Sequence, residues 1–201
     1  MDNILHARTA QSTKKFAYDT ILITTIKVFM LSFLIGLLAK VSIPLYFTPV
    51  PLTGQTLGIM IAGATLGSRK GALSVLLYLL EGFVGLPVFT QGSLGILALF
   101  GPHAGYFLGF IVQAYLVGKL FEKKTLSSNT FKFFYLLSVC SLQLGLGTLV
   151  LAMFMHISPL EAIWVGLYPF VLGEIAKVLS LMGGIEILQK ISCCKKTSNN
   201  Q

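Results

Sequence analysis

Long apolar runs separated by short polar or proline-rich connections make up most of the chain. Six of these runs can form membrane-spanning helices, and they cover residues 21–43, 55–66, 72–84, 104–120, 133–155 and 169–190. The second run is short, because about fourteen helical residues at about 1.5 Å each extend only about 21 Å. It must therefore sit among longer helices or thin the bilayer. The pattern predicts an all-α integral membrane protein, with one six-span domain covering residues 1–201.

Two uncharged connections interrupt this pattern, the first rich in proline and the second rich in glycine with two prolines. We call 44–53 the first lid segment and 85–103 the second lid segment. Irregular backbone at membrane depth persists only where protein or a water-lined cavity satisfies its polar groups. The second lid segment is also rich in Leu, Ile and Phe, which disfavours a floppy external loop. We expect both segments to close over a small-molecule site.

A short surface helix is predicted before the last span. Ser158-Pro159-Leu160-Glu161 has the pattern of a capping box with proline in the first turn. The helix should cover residues 159–168 and lie at the membrane surface, with Trp164 and Tyr168 as interfacial anchors. Pro169 should then end this helix and begin the sixth span.

Composition supports the membrane class. The chain is 55% hydrophobic and only 11% charged, whereas a soluble domain is about a quarter charged. Its formal net charge is +8, but the basic residues lie between apolar spans, so nucleic-acid binding is not needed to explain them. The three cysteines do not form a disulfide framework, and we expect Cys140 to pack inside an apolar run.

The basic residues also predict an orientation. All of the 15 Lys and Arg residues except Lys27, Lys40 and Lys177 lie in the leader, in the turn 68–71, in the connection 118–132 or from residue 190 onward. In a six-span chain these four places lie on one side of the membrane. The positive-inside rule therefore predicts a cytoplasmic leader (1–20) and a cytoplasmic tail (192–201). No cleavable signal peptide is apparent.

Lys177 is the sharpest candidate for function. It lies about eight residues into the sixth span, where an ionisable side chain is costly and by default functional. Glu174 precedes it by three residues on the same helix face, so a structural ion pair is the alternative. Glu174 can hold Lys177 in place or accept hydrogen bonds from N–H groups of a ligand. We expect Lys177 to pair with a carboxylate of the ligand.

Other polar and aromatic residues lie on or beside the uncharged outer segments. Gln55, Gln91 and His103 are candidate ligand contacts, although loop glutamines are often solvated and a lone His is often structural. An aromatic wall can come from Tyr46, Phe47, Phe89, Tyr106 and Trp164. We expect Lys40 to extend toward the membrane surface. Glu81 is a further candidate for lining the cavity.

Motifs of other chemistries are absent from the sequence. It contains no phosphate-binding loop, no H-E-x-x-H, no C-x-x-C and no G-x-S-x-G. His156 with Glu161 is too sparse for a metal site. The residues alone predict uptake of a small organic anion. An intramembrane enzyme is an alternative from another class, but it needs a paired nucleophile and base at depth, which the sequence does not show. A scaffolding membrane protein is a third alternative, and it would need neither a buried Lys177 nor two uncharged lid segments.

Three stretches carry a resemblance to a known family. They are IPLYFTPVPLTGQTLGIMIAGATLGSRKGALSVLLYLLEGFVGLPVF, GPHAGYFLGF and YPFVLGEIAK. With these motifs the sequence resembles the BioY family, the biotin-capturing membrane component of energy-coupling factor (ECF) vitamin transporters. The resemblance covers about residues 40 to 185. It departs at Leu172-Gly173-Glu174, where the family usually has Pro-Gly-Asp, and at His103 and Ala104, where the family has Thr and Gly.

The resemblance implies a function, partners and site residues. It implies a six-helix biotin-binding subunit of a prokaryotic cell membrane, with no cofactor besides the transported ligand. It also implies a membrane coupling subunit and two ATP-hydrolysing subunits as partners. The binding residues that we expect are Gln55, Gln91, His103, Tyr106, Glu174 and Lys177. The small-residue pairs Ser32/Gly36 and Gly63/Gly67 are candidate surfaces for docking the coupling subunit.

Overall fold

A computed structural model describes residues 2–90, 100–122 and 128–198, with backbone alone in 2–18, at Gln189 and in 192–198. These residues form seven helices and one pair of short strands. In chain order the elements are α1 (Asp2–Lys40), β1 (Ser42–Ile43), β2 (Leu52–Thr53), α2 (Gln55–Leu66), α3 (Ser68–Phe83), α4 (Ala104–Glu122), α5 (Asn129–Met155), α6 (Pro159–Gly166) and α7 (Tyr168–Ser198).

The all-α membrane class agrees with these helices. Within the described residues, three helical stretches are both long and apolar enough to cross a membrane: Asp19–Lys40, Ala104–Glu122 and Asn129–Met155. α2 is apolar but has 12 residues, and α3 has 16. α7 is long but carries Glu174, Lys177 and Glu186 along its length. A helix therefore stands at each of the six predicted runs, and three of the six have the length and apolar character of a span.

The first run differs from the prediction at both ends. Helix α1 already begins at Asp2, so the polar leader and the apolar run form one continuous helix. It ends at Lys40, three residues before the predicted end at residue 43. Ser42 and Ile43 instead pair antiparallel with Thr53 and Leu52. The prolines of the first lid segment prevent helix from continuing, and the strand pair closes this segment into a loop.

The short helix α2 lies at the centre of the fold. It packs against α1, α3, α4 and α7, and Ile59, Met60 and Ala62 are fully buried. Close packing depends on glycine at Gly63, where a Cβ atom would lie 2.5 Å from the carbonyl oxygen of Ala114 in α4. Longer helices therefore surround α2, as its length requires.

The prediction that the small-residue pairs form docking surfaces is wrong, because these residues make contacts within the chain. Ser32 is fully buried and donates a hydrogen bond to Oε2 of Glu81 at 2.8 Å. A Cβ atom on Gly36 would lie 3.4 Å from Val88, and Gly63 packs against α4. Gly67 has φ +83° and makes the turn between α2 and α3 beside Glu122. Small residues allow close helix approach, and here the neighbouring helices belong to the same chain.

The surface helix forms as the sequence predicts, with a slightly different end. Ser158 accepts from the backbone N–H of Glu161, and the Glu161 carboxylate accepts from the backbone N–H of Ser158, which completes a capping box. The Ser158 N–H also lowers the pKa of Glu161. α6 ends at Gly166 rather than at residue 168. The rings of Trp164 and Tyr168 are both exposed, with centroids 4.9 Å apart.

Candidate functional site

A cavity opens between the helices beneath the two lid segments. It contains about 590 Å³ of space, part of which is open to solvent at the mouth. Residues from α2, α3, α4, α5 and α7 line it, together with residues of both lid segments and of β2. The lining residues are Val50, Pro51, Thr53, Gln55, Thr56, Tyr78, Phe89, Thr90, His103, Tyr106, Phe107, Phe110, Gln143, Leu144, Phe170, Glu174 and Lys177.

Three side chains from two helices form the charged end of the cavity. Lys177 Nζ lies 2.7 Å from Glu174 Oε1 and donates to Thr56 Oγ1 at 2.8 Å. Thr56 in turn donates to Glu174 Oε1 at 2.8 Å. The two charged residues are one helical turn apart in α7, so their side chains project from the same face. Thr56 lies in α2, so its hydrogen bonds connect that face of α7 to the central helix of the fold.

The ion pair is buried but incompletely satisfied. The exposed fraction of the side chain is 13% for Lys177 and 4% for Glu174. Glu174 Oε1 accepts from both neighbours, whereas Oε2 is buried and has no hydrogen-bond partner among the described residues. A buried carboxylate oxygen without a donor is costly, because nothing replaces the water that it has lost. This oxygen can therefore accept from an N–H or O–H group of a ligand in the cavity.

A second hydrogen-bonded pair joins α2 to α3. Gln55 Nε2 donates to the Tyr78 hydroxyl at 3.0 Å, and that hydroxyl lies 3.4 Å from the carbonyl oxygen of Val88. Gln55 is 4% exposed and Tyr78 is fully buried. The pair therefore holds the beginning of the second lid segment against the helices.

Four aromatic rings form a continuous wall of the cavity. Phe89 meets Tyr78 edge to face at 5.5 Å between centroids and stacks on Phe107 at 5.1 Å. Phe107 meets Phe110 edge to face at 5.8 Å. Gly82 makes room for this arrangement, because a Cβ atom there would overlap the Phe89 ring. The wall is apolar and suits a ring system with little charge.

Single hydrogen bonds from side chains hold the end of the cavity beneath the lid segments, which we call the outer end. Lys40 Nζ donates to the carbonyl oxygen of Phe89 at 2.7 Å, so α1 restrains the second lid segment. His103 Nε2 lies 3.2 Å from the carbonyl oxygen of Pro49 and joins the two lid segments. Burial lowers the pKa of His103 from its usual value, which favours the neutral ring. A neutral ring donates to Pro49 through one nitrogen and can accept through the other.

The structure brings five of the six predicted binding residues to one cavity. Lys177, Glu174, Gln55, His103 and Tyr106 all line it. Tyr106 also donates from its hydroxyl to the carbonyl oxygen of Gly166 at 2.7 Å, so it anchors α6 as well. The sixth predicted residue, Gln91, and the apolar stretch 94–99 lie outside the described residues.

Several residues proposed for an aromatic or charged wall lie elsewhere. Tyr46, Phe47 and Trp164 are exposed and absent from the lining, so the wall is built from rings nearer the helix ends. Glu81 accepts from Ser32 and does not line the cavity. Cys140 is buried, as its apolar run predicts.

Sequence reasoning missed Thr56, Tyr78 and Gln143 as lining residues. Thr56 directly follows Gln55 and had no separate signal. Gln143 did have one, because an uncharged amide in the middle of the fifth apolar run is unusual at membrane depth. Within the described part of the chain, no three His, Cys, Asp or Glu side chains form a group that could hold a metal ion. The polar groups of the cavity instead suit an organic ligand with hydrogen-bond donors and acceptors.

The comparisons with known proteins agree on one family. The model of the BioY family matches residues 9–191. The biotin transporter BioY2 of Lactococcus lactis subsp. cremoris is 34% identical over 173 residues, which cover 83% of this chain and 91% of the relative. The biotin transporter BioY of Thermotoga maritima is 38% identical over 143 residues, which cover 70% of this chain and 80% of the relative.

A solved structure has the same fold. The crystal structure of the S-component for biotin from an ECF-type ABC transporter superposes with a TM-score of 0.77 at 28% sequence identity. The match covers 86% of this chain and 93% of that chain. The similarity therefore extends over nearly the whole of both molecules.

Proposed function

The chain belongs to the BioY family, and we propose that it is the membrane-embedded subunit of an ECF-type transporter that captures biotin. It binds biotin from the outer face of a prokaryotic cell membrane and releases it inward. An intramembrane enzyme is not favoured, because the members of the family are transporter components. The charged end of the aromatic-lined cavity is the observation on this chain that best supports the proposal.

Biotin has three parts that correspond to three parts of the cavity. Its urea group has two N–H donors and a carbonyl acceptor, its fused rings are apolar, and its side chain ends in a carboxylate. The charged end offers an ammonium donor on Lys177 and an unpaired acceptor, Glu174 Oε2. The aromatic wall provides an apolar surface, and Lys40 and His103 contact backbone carbonyls of the lid segments at the outer end.

The urea group fits the charged end better than the carboxylate does. Lys177 is already neutralised by Glu174 at 2.7 Å, so a ligand carboxylate there would face a second carboxylate. A neutral urea instead places its carbonyl toward Lys177 and an N–H toward Glu174 Oε2. We therefore replace the expectation that Lys177 pairs with the ligand carboxylate, because the paired charge suits a group with both donor and acceptor atoms.

The carboxylate then lies at the outer end of the cavity. His103 lines this end, but its lowered pKa keeps it neutral near pH 7. Lys40 extends to the Phe89 carbonyl, which belongs to the wall, and its ammonium is the better partner for an anion. Because Lys40 is exposed, this contact should add less affinity than the contacts at the buried end.

Six membrane spans with both termini in the cytoplasm are part of the proposal. The lid segments, which both contribute described residues to the cavity lining, then face outward, on the side from which biotin enters. The placement of Lys and Arg supports this orientation. The short α2 crosses inside the bundle, where α1, α3, α4 and α7 pack against it, and α3 packs against α1, α2 and α4.

Energy for release must come from other subunits, because the sequence has no phosphate-binding loop. We propose a membrane coupling subunit and two ATP-hydrolysing subunits as partners. Their docking surface lies outside the small-residue pairs, since those residues pack within the chain.

Ligand binding to the purified protein tests the proposal. Isothermal titration in detergent should give a saturable heat with biotin. Lipoic acid, which has the same acid side chain and a sulfur ring but no urea, should bind at least about a hundred-fold more weakly, since buried polar groups left unpaired by the ligand typically cost 1–3 kcal/mol each. Absence of biotin binding would refute the function. Equal binding of both acids would refute the urea orientation alone.

A further inference from the structure

We infer that Gln143, in the middle of α5, is a ligand-binding residue whose side-chain amide hydrogen-bonds to the urea group of biotin. This inference rests on the proposed function and deepens it. Neither the motifs of the sequence nor the charged residues point to Gln143. Gln143 is buried, it lines the cavity, and its amide oxygen lacks a hydrogen-bond partner among the described residues.

Gln143 has an unsatisfied amide at the cavity. The residue is 2% exposed, it lines the cavity, and its Oε1 has no hydrogen-bond partner among the described residues. Buried amide oxygens almost always have a partner, because desolvation without one is costly. A group from a ligand is the partner that the cavity makes available. Glu174 Oε2 also lacks a partner among the described residues, and Glu174 lines the same cavity.

Close helix packing fixes the stem of this side chain. A Cβ atom on Gly109 of α4 would lie 3.0 Å from Cγ and 3.0 Å from the carbonyl oxygen of Gln143. The α4 backbone therefore touches both the main chain and the aliphatic part of Gln143. The amide at the end of the stem is positioned in advance, which lowers the entropy cost of binding.

A second buried glutamine provides a matched comparison. Gln113, in α4, is fully buried, and its Oε1 also lacks a partner among the described residues. It differs in two respects, because its Nε2 donates to Cys140 Sγ at 3.4 Å and it does not line the cavity. If an unsatisfied buried amide were only a packing feature, the two glutamines would be equivalent. Only Gln143 has access to a ligand.

The chemistry of an amide suits a urea. A carboxamide presents one acceptor and one donor side by side, and a half-turn of its terminal bond exchanges them. With Glu174 Oε2 it gives the cavity two unsatisfied oxygens, which correspond to the two N–H groups of a urea. A neutral amide also adds no second charge near the Lys177–Glu174 pair. Gln143 should therefore discriminate between ligands by their N–H groups.

The test uses Gln143→Leu and the control Gln113→Leu, each measured in two ways. Affinity is measured for biotin and for an analogue in which CH₂ groups replace both urea N–H groups. Thermal unfolding is measured on the ligand-free proteins in detergent. Leucine is close in size to glutamine and removes the amide, so ligand-free Gln143→Leu should be as stable as the wild type or more stable.

We expect Gln143→Leu to bind biotin about ten- to a hundred-fold more weakly, because one urea N–H is left without a partner. Its preference for biotin over the analogue should fall by a similar factor, whereas Gln113→Leu should keep the wild-type affinity and preference. An unchanged biotin affinity in Gln143→Leu would overturn the inference. So would a loss that is equal for both ligands, or a marked loss of ligand-free stability with affinity intact. If the wild type itself fails to bind biotin, the proposed function fails first.

Discussion

The two ends of the cavity are built in different ways. The inner end is the charged end of the cavity, where Thr56 lies on α2 and Glu174 and Lys177 lie on α7. Each pair among these three side chains is within hydrogen-bond distance. At the outer end, Lys40 and His103 each make one hydrogen bond to a backbone carbonyl of a lid segment. At the inner end both partners of each hydrogen bond are side chains of helices, whereas at the outer end the acceptors are carbonyl oxygens of irregular backbone.

This difference assigns separate tasks to the two ends. Charges inside a helical bundle keep a fixed geometry, because moving one of them leaves another buried without a partner. Irregular backbone near the surface opens at a lower cost than a buried ion pair, since water replaces the hydrogen bonds that it loses. The comparison therefore predicts that the inner end determines what binds and that the outer end determines how it enters.

Entry of the ligand at the outer end requires that the lid segments face the outside of the cell. In a variant without the three native cysteines, Cys introduced at Tyr46 should react with a membrane-impermeant maleimide added to sealed cells. Tyr46 is fully exposed and lies in the first lid segment. Cys introduced at Lys70, in the basic turn, should react only after the cells are opened. Reaction at position 70 in sealed cells would overturn the six-span orientation.

Lys177→Met should have the largest effect on binding. It leaves the Glu174 carboxylate buried without a counter-charge and removes a donor to the ligand, and such losses typically cost about 2–5 kcal/mol. We expect biotin to bind about thirty-fold more weakly or worse in a titration. Lys177→Arg should recover only part, because the planar guanidinium does not match a site shaped for an ammonium.

Two control variants separate binding from stability in that experiment. Lys27→Met removes an exposed lysine of α1 and should change neither affinity nor unfolding temperature. Lys177→Met combined with Glu174→Gln removes both charges, so it should regain stability while binding remains weak. Wild-type affinity in Lys177→Met would show that the inner end does not recognise the ligand.

Gly82→Ala tests the aromatic wall between the two ends. The added methyl group would overlap the ring of Phe89 and displace it from the contact with Tyr78. Overpacking of this kind costs about 1–3 kcal/mol, so we expect biotin to bind about tenfold more weakly. Gly145→Ala is the control, because a Cβ atom there meets no described atom within 4 Å. Equal affinities of the two variants would exclude Phe89 from the site.

Lys40→Met should have a smaller effect that depends on the charge of the ligand. We expect at most about fivefold weaker binding of biotin, because an exposed ion pair contributes only about 0.2–1 kcal/mol. Biotin amide, which has no carboxylate, should lose less affinity than biotin does. If both ligands lose affinity equally, Lys40 acts only on the lid segment.

His103 should produce the smallest effect, a dependence of stability on pH. Burial lowers the pKa of His103 in the folded protein below the usual 6.5, so folding favours the neutral ring. The stabilisation is complete above the unfolded pKa and is lost as pH falls through the folded pKa. The unfolding temperature should therefore decrease from pH 7.5 to pH 5.5 more in the wild type than in His103→Gln. Parallel curves for the two proteins would contradict the role of burial.

Local patterns in the sequence predicted the helices and several of the residues that line the cavity. The capping box at Ser158 and the prolines of the first lid segment act over a few residues, so their effects are visible without knowing the neighbours. Lys177 and Glu174 stood out because charge is costly in an apolar run. The same local reasoning failed for Ser32 and Gly36, since small residues do not indicate which helix they contact.

The sequence by itself determined the membrane class, the uncharged lid segments and the charged pair one turn apart on the last helix. The tertiary structure alone decided that Thr56 meets Lys177 across 121 positions of the chain and that Gln143 faces the cavity while Gln113 does not. Hydrophobic periodicity describes the faces of one helix at a time. Which faces meet depends on how far each helix is rotated and on how closely it approaches its neighbours. Glycines such as Gly63 and Gly109 allow that close approach through contacts with residues distant in sequence.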